Sequence, residues 1–416
     1  MANSNKINLI IILIYFSLLF GFFYGEDSIG GAFNDYYGLA HVSEKFKLNF
    51  FYTFMNYDEL GHRQSPIFYI VKSLFLNFDE HIQRIIFFHL FLLIPLFFYK
   101  CLKLIYTDAP KINLKLLATI ILFFPTFRSY SIWPDPHLLG TLFFIISIYY
   151  FLKFKKKQNP FKNSLLNIFF LSTSAYCSPN FGVFALYFFI NYYFKFKFSK
   201  EIILISIFNI LLSIPFFLYL FFFKINFLFN VSGWGIGEDF YSIVNFSNKI
   251  IIIISLFFFY LFPFILSKKI NYNFKYIIEA KKKFIVFLIL FFLATYFFDF
   301  TDTYKLTNSG GGFIYNFSQM ILANNFILFA VCFFTCVYLF KIFEFDKNNL
   351  LLFLVLVLSN PQNTIWQANF SPTMFFLILL MFNLNLKDEV FNLKTIYINY
   401  FYFTLYLIGS IGTKMF

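Results

Sequence analysis

The sequence predicts an all-α integral membrane protein of about 12–13 transmembrane helices, with interfacial helices in its first extracytoplasmic loop. Two observations carry this. Of 416 residues, 60% are hydrophobic and only 13% charged, more apolar surface than a globule of that size can hide from water. The apolar residues also fall into runs near the roughly 20 residues that a bilayer requires of a helix.

In chain order, residues 7–24 (INLIIILIYFSLLFGFFY) follow a single Lys6 and lack a small-x-small cleavage site, so they are expected to stay as a signal anchor. Further apolar runs centre on 85–99, 116–132, 137–152, 164–178, 180–194, 202–223, 250–266, 284–299, 321–340, 349–365, 372–386 and 395–412. The run at 66–78 (PIFYIVKSLFLNF) is short and carries Lys72. It is expected to lie along the outer interface as an amphipathic helix, because a crossing there would turn every later lysine cluster outward. The whole chain, 1–416, is taken as one polytopic domain without a separate soluble part, and 26–84 as its first extracytoplasmic loop.

The net charge of +13 suggests nucleic acid in a soluble protein, but the lysines sit in short clusters between apolar runs. The N-terminus and the loops near 100–115, 153–162, 195–200, 268–283, 341–347 and 387–394 hold 23 of the 33 Lys and Arg. Those loops are therefore assigned to the cytoplasm and nucleic acid is set aside as a partner; the bilayer is the partner instead. The reading is a multi-pass protein of a bacterial inner (plasma) membrane, with its N-terminus inside. The 75 phenylalanines share A/T-rich codons with the abundant Ile, Lys and Asn, so genome bias explains them better than an aromatic binding platform. Cys101, Cys177, Cys332 and Cys336 lie in or beside apolar runs and are expected to pack as small hydrophobes.

The densest acid cluster, EDSIGGAFNDYY at 26–37, directly follows the anchor on the outer side. Two further outer stretches are long, 225–248 and 299–319. These three, with the span ends at Asp135 and Asn369, hold the room for extracytoplasmic chemistry.

FNDYYGLAHVSEKF, HRQSPIFYIVKSLFLNF and DEHIQRIIFFHLFLLIPLFFYKCLKLIY occur in this order. Together they resemble the N-terminal third of the GT-C superfamily of membrane glycosyltransferases, which includes lipid A aminoarabinose transferases and protein O-mannosyltransferases. The matching elements are Asp35-Tyr36-Tyr37, His62 to Tyr69 with Pro66, and Arg84; YSIWPDPHLLGTLFFIISIYYFLKF at 130–154 resembles the next outer turn. The resemblance covers roughly 26–154. It implies inverting transfer of a sugar from a polyprenyl-phosphate donor to a glycan, lipid or protein acceptor at the outer membrane face.

Such chemistry asks for a carboxylate to take the acceptor's proton and for cations or amides to hold the leaving phosphate. Asp35 is the candidate base, against a plain helix-starting acid; Asp27 and Glu26 are its support, or ligands of a divalent cation if one is used, against acids that merely favour a helix dipole. Asp135, between two prolines in WPDP, is the third catalytic candidate, against a cap of the following span. For the phosphate, the candidates are His62, Arg63, Arg128 and Lys305, against cations that snorkel to headgroups. Asn308 to Gly312 offers a backbone anion nest or a flexible loop. The late stretch WQANFSPTMFF departs from the family, with Gln367 and Asn369 standing before Pro372 where an Arg is expected. A glycan polymerase or ligase would concentrate arginines in a late outer loop. A transporter or flippase would show repeats and mid-membrane polar groups.

Overall fold

The computed structural model describes residues 2–60, 64–223, 242–267, 281–300, 310–343, 346–360 and 365–415. Their regular structure is helical, apart from one isolated bridge between Gly310 and Trp366. Among the described residues, four helices are long and apolar enough to cross a membrane: Glu80–Ile105, Pro136–Lys155, Lys200–Phe222 and Ile243–Ser267. A bent pair, Lys111–Phe123 with Pro125–Ile132, makes a fifth if it is one span.

The chain divides into two compact units, residues 1–235 with 403–416, and residues 236–402. The first opens with α1 (Ala2–Tyr24), followed by four short helices, α2 (Ala32–Gly38), α3 (Ala40–Leu48), α4 (Phe50–Met55) and α5 (Pro66–Ser73). Longer elements follow: α6 (Glu80–Phe91), α7 (Leu93–Ile105), α8 (Lys111–Thr119), α9 (Pro125–Ile132), α10 (Pro136–Lys155), α11 (Pro160–Cys177), α12 (Phe184–Phe196) and α13 (Lys200–Phe217). The α8–α9 path bends by 68°. Pro125 lacks an N–H and its ring pushes Phe124 out of the helical region, to φ −74° and ψ 123°.

The short run at 66–78 forms a helix, α5, of only eight residues, roughly 12 Å at 1.5 Å per residue, too short to cross a bilayer, as expected. Its Pro66, Phe68, Tyr69 and Lys72 are buried.

The second unit contains α14 (Ile243–Ser267), α15 (Lys281–Tyr296), α16 (Gly312–Leu322), α17 (Phe326–Phe343), α18 (Lys347–Leu358), α19 (Thr373–Leu380) and α20 (Lys387–Phe391). All eight residues of α19 are buried, as are most of α14. The four cysteines are free and buried; Cys332 donates to the Ile251 carbonyl at 3.4 Å, tying α17 to α14.

One ion pair fixes where α1 hands over to the acidic segment. Arg128 on α9 grips Glu26 through Nε (2.7 Å) and Nη2 (2.5 Å), and also donates to the Ser17 hydroxyl (3.3 Å) and carbonyl (3.0 Å) on α1. Ser28 donates to the Pro125 carbonyl and the Ile29 N–H donates to Ser129 Oγ, both at 3.1 Å. Gly21 makes room for the pair: a Cβ there would collide with Glu26 Oε2 and lie 2.9 Å from Arg128 Nη2. Gly21→Ala is therefore expected to lower stability by on the order of 3 kcal/mol, the range for disrupting a buried charge pair. Gly409→Ala, with open space around its Cβ, is expected to be near neutral; thermal unfolding in detergent compares the two.

Candidate active site

Asp27, Asp35 and Asp135 occupy different environments in the first unit. Asp27 is a scaffold: its carboxylate accepts the N–H groups of Gly30 (3.0 Å), Gly31 (2.8 Å) and Phe33 (3.1 Å). Those bonds close the turn into α2, where Gly30 sits at φ +71°, a conformation glycine adopts without strain. Asp35 stands in the first turn of α2, open to solvent, and its carboxylate accepts no hydrogen bond from the described residues. The protein nevertheless crowds it on other sides, and that desolvation, with the Asp27 charge, holds its carboxyl above the usual value of 3.8.

Asp135 begins α10. It is buried, and its carboxylate accepts the His137 N–H at 2.7 Å, a side-chain cap of the helix. Burial pushes its carboxyl up to about 7, against the His137 N–H that favours the charged form, and the Asp35 charge raises it further. The same two carboxylates raise the Tyr69 phenol, whose burial is the larger cause. Asp35 and Asp135 thus act on one electrostatic neighbourhood, and Tyr69, its hydroxyl donating to Gln64 Oε1 at 2.6 Å, lies within it.

Two cations join this corner from elements that the charge pattern did not single out. Lys72 on α5 is buried with its Nζ 3.6 Å from the centre of the Tyr36 ring. Burial lowers it to about 8, against the attraction of Glu80 and Glu44. Arg84 on α6 lies over the Trp133 ring at 3.6 Å, donates Nε to the Ile132 carbonyl (3.0 Å), and sets Nη1 3.8 Å from Glu80. Its Nη2 is buried and has no partner among the described residues. Tyr37 donates to Glu80 at 2.6 Å, and Phe33 meets Trp133 edge-on at 4.9 Å. The sequence does carry a signal for Lys72: it follows Pro66 and Tyr69 at steps of three and shares their inward face.

Among the phosphate candidates, Arg128 is occupied by Glu26 and Ser17, which gives it a structural role. His62, Arg63 and Lys305 lie outside the described residues. Gln367 and Asn369 belong to the second unit, in a 3₁₀ turn at Gln367–Asn369. Gln367 is buried and its Oε1 accepts the Phe313 N–H at 2.9 Å, while Asn369 is half-buried. The described part of the glycine run meets the same turn: the Gly311 N–H donates to the Ile365 carbonyl at 2.8 Å. That amide is engaged within the fold, and Asn308 and Ser309 lie outside the described residues. Among the described residues, no group of three or more His, Cys, Asp and Glu is arranged to hold a metal.

No protein-family model matches the chain, and neither the curated proteins nor the solved structures give a match. The case for function therefore stands on the corner's own geometry.

Asp135 supplies a pH test. The folded protein keeps this proton up to about pH 7, whereas the ordinary value is 3.8. The stability so contributed is complete below the ordinary value and is lost as pH rises through 7, by a few kcal/mol at most. Asp135→Asn keeps a helix cap and is expected to remove this part of the slope. Melting temperatures between pH 4 and 8 measure it, and the same slope in both proteins would contradict the assignment.

Proposed function

We propose that the chain is a multi-pass membrane glycosyltransferase of the GT-C type. It moves a sugar from a polyprenyl-phosphate donor to a glycan, lipid or protein acceptor on the outer face of a bacterial inner membrane. Its N-terminus lies in the cytoplasm, and its 26–84 segment faces outward. The observation that carries this reading is the packing of α2, which bears the open Asp35, through Phe33 and Tyr36 onto Trp133, two residues before the buried Asp135. Supporting it are the four long apolar helices, the lysine distribution and the ordered motifs of residues 26–154.

In this mechanism Asp35 takes the proton of the acceptor hydroxyl as that oxygen attacks the anomeric carbon from the face opposite the phosphate. The new C–O bond forms while the bond to the phosphate oxygen breaks, and the lipid phosphate leaves with the electron pair, inverting the centre. Burial raises the Asp135 carboxyl to about 7, so near neutral pH it keeps part of its proton and repels a phosphate less than a fully charged carboxylate would. With Arg128 neutralised by Glu26, the leaving phosphate is met by His62 or Arg63 together with Lys72 and Arg84.

Asp35→Asn is expected to cut transfer from a labelled polyprenyl-phosphate sugar by about 10²- to 10⁴-fold, the contribution of a positioned base, at an unchanged level of folded protein. Asp27→Asn weakens the carboxylate's hold on three amides and is expected to lower the yield of folded protein more than the specific activity. Full transfer by Asp35→Asn would overturn the catalytic assignment.

A further inference from the structure

Residues 48–55 turn apolar side chains outward from a rigid backbone. Leu48 is 84% exposed, Phe51 80% and Tyr52 58%, and Phe50 and Met55 are exposed beside them. Slack does not explain this exposure. The Asn49 side chain caps α4 by accepting the Tyr52 N–H at 3.2 Å, and buried Thr53 donates to the Lys45 carbonyl at 2.9 Å. A fixed apolar patch in contact with water is unfavourable unless something covers it.

The inner side of α4 says at what depth it sits. Phe54 packs against Tyr219 with ring centres 4.7 Å apart, and the Tyr219 hydroxyl donates to the Phe54 carbonyl at 2.9 Å. Tyr219 belongs to the last turn of Lys200–Phe222, 23 residues long and apolar enough to cross a membrane. Its neighbours Phe217, Leu218, Phe221 and Phe222 are exposed. An apolar helix of that length ends where the hydrocarbon ends, so α4 lies at the level of the headgroups. The charges beside it fit that level. Lys45 and Lys47 are exposed immediately before Leu48, and Lys47 donates to the Leu76 carbonyl at 3.3 Å, next to exposed Leu74 and Phe78. Aromatic side chains bordered by lysines match a boundary between acyl chains and anionic phosphates.

We propose that Leu48 and α4 form a foot seated in the outer-leaflet interface, with Lys45 and Lys47 meeting the phosphates of anionic lipids. The proposal rests on the membrane reading above. It deepens the expectation of interfacial helices within 26–84 by naming α4 and the lysines that would meet the lipid. Its function is to fix the height of the outer segment over the bilayer, and so the height at which a membrane-bound donor meets Asp35.

Nitroxide labels on Phe51→Cys, Glu59→Cys and Ile210→Cys, in the full chain in phosphatidylethanolamine and phosphatidylglycerol vesicles, test this. The native cysteines are buried, and the unsubstituted chain gives the background. Relaxation by oxygen relative to a water-soluble nickel chelate is expected to be several-fold higher at Phe51 than at Glu59, and highest at Ile210 on the exposed face of α13. Lys45→Glu with Lys47→Glu is expected to lower the Phe51 ratio; an unchanged ratio would remove the lysines from the proposal. A Phe51 ratio equal to that of Glu59, with Ile210 still high, overturns the foot and leaves the membrane reading standing. Aqueous access at Ile210 as well overturns both.

Discussion

The bidentate contact between Arg128 and Glu26 is the constraint on which the rest of the first unit's corner depends. It joins the exit of α1 to α9 across 102 residues of sequence, in a place where each charge alone would be strongly unfavourable. The same Glu26 offers its carbonyl to the Trp133 indole N–H at 3.1 Å. Trp133 in turn carries Arg84 on its face and Phe33 at its edge, so the pair positions the platform against which α2 packs. Gly25, at φ +65° and at a place where a Cβ would lie 3.3 Å from the Trp133 ring, lets the chain leave the helix without pushing that platform away.

From this platform the two catalytic candidates acquire unlike environments. Asp35 projects from a seven-residue helix that a third acid, Asp27, holds by its backbone amides. Asp135 is drawn inward by its place at the head of α10, where the following His137 N–H is its hydrogen-bond donor. A buried carboxyl whose proton is held to about pH 7 is partly neutral where an ordinary carboxylate is charged. Lys72 adds a cation whose own affinity for its proton is weakened by burial, and Tyr36 covers it with a ring instead of a carboxylate.

Much of the helical layout was legible because its cause is local: apolar runs of spanning length, interrupted by proline and lysine, make helices whatever surrounds them. Pro125 shows where that reading fell short. The run 116–132 looks continuous in composition, yet the missing N–H and the extended Phe124 bend it. The α5 segment was legible as too short to span, but the burial of Lys72 was not, because the Tyr36 ring that it meets is close only in space. Asp35 was legible as an acid at the head of a short helix. The role of Arg128 was not, because its partner Glu26 is close only in space, and Asp27 declared its capping role only once three amides were seen to converge on it.

The central claim is that the Glu26–Arg128 pair holds the corner together, and a double-mutant cycle measures it most directly. Glu26→Gln, Arg128→Gln and the double variant are compared by reversible unfolding in detergent. Each single change leaves a buried charge without its partner, so the account expects both to destabilise strongly and the double to be little worse than either. The coupling should reach roughly 2 kcal/mol or more. Additive effects of the two changes would contradict the account.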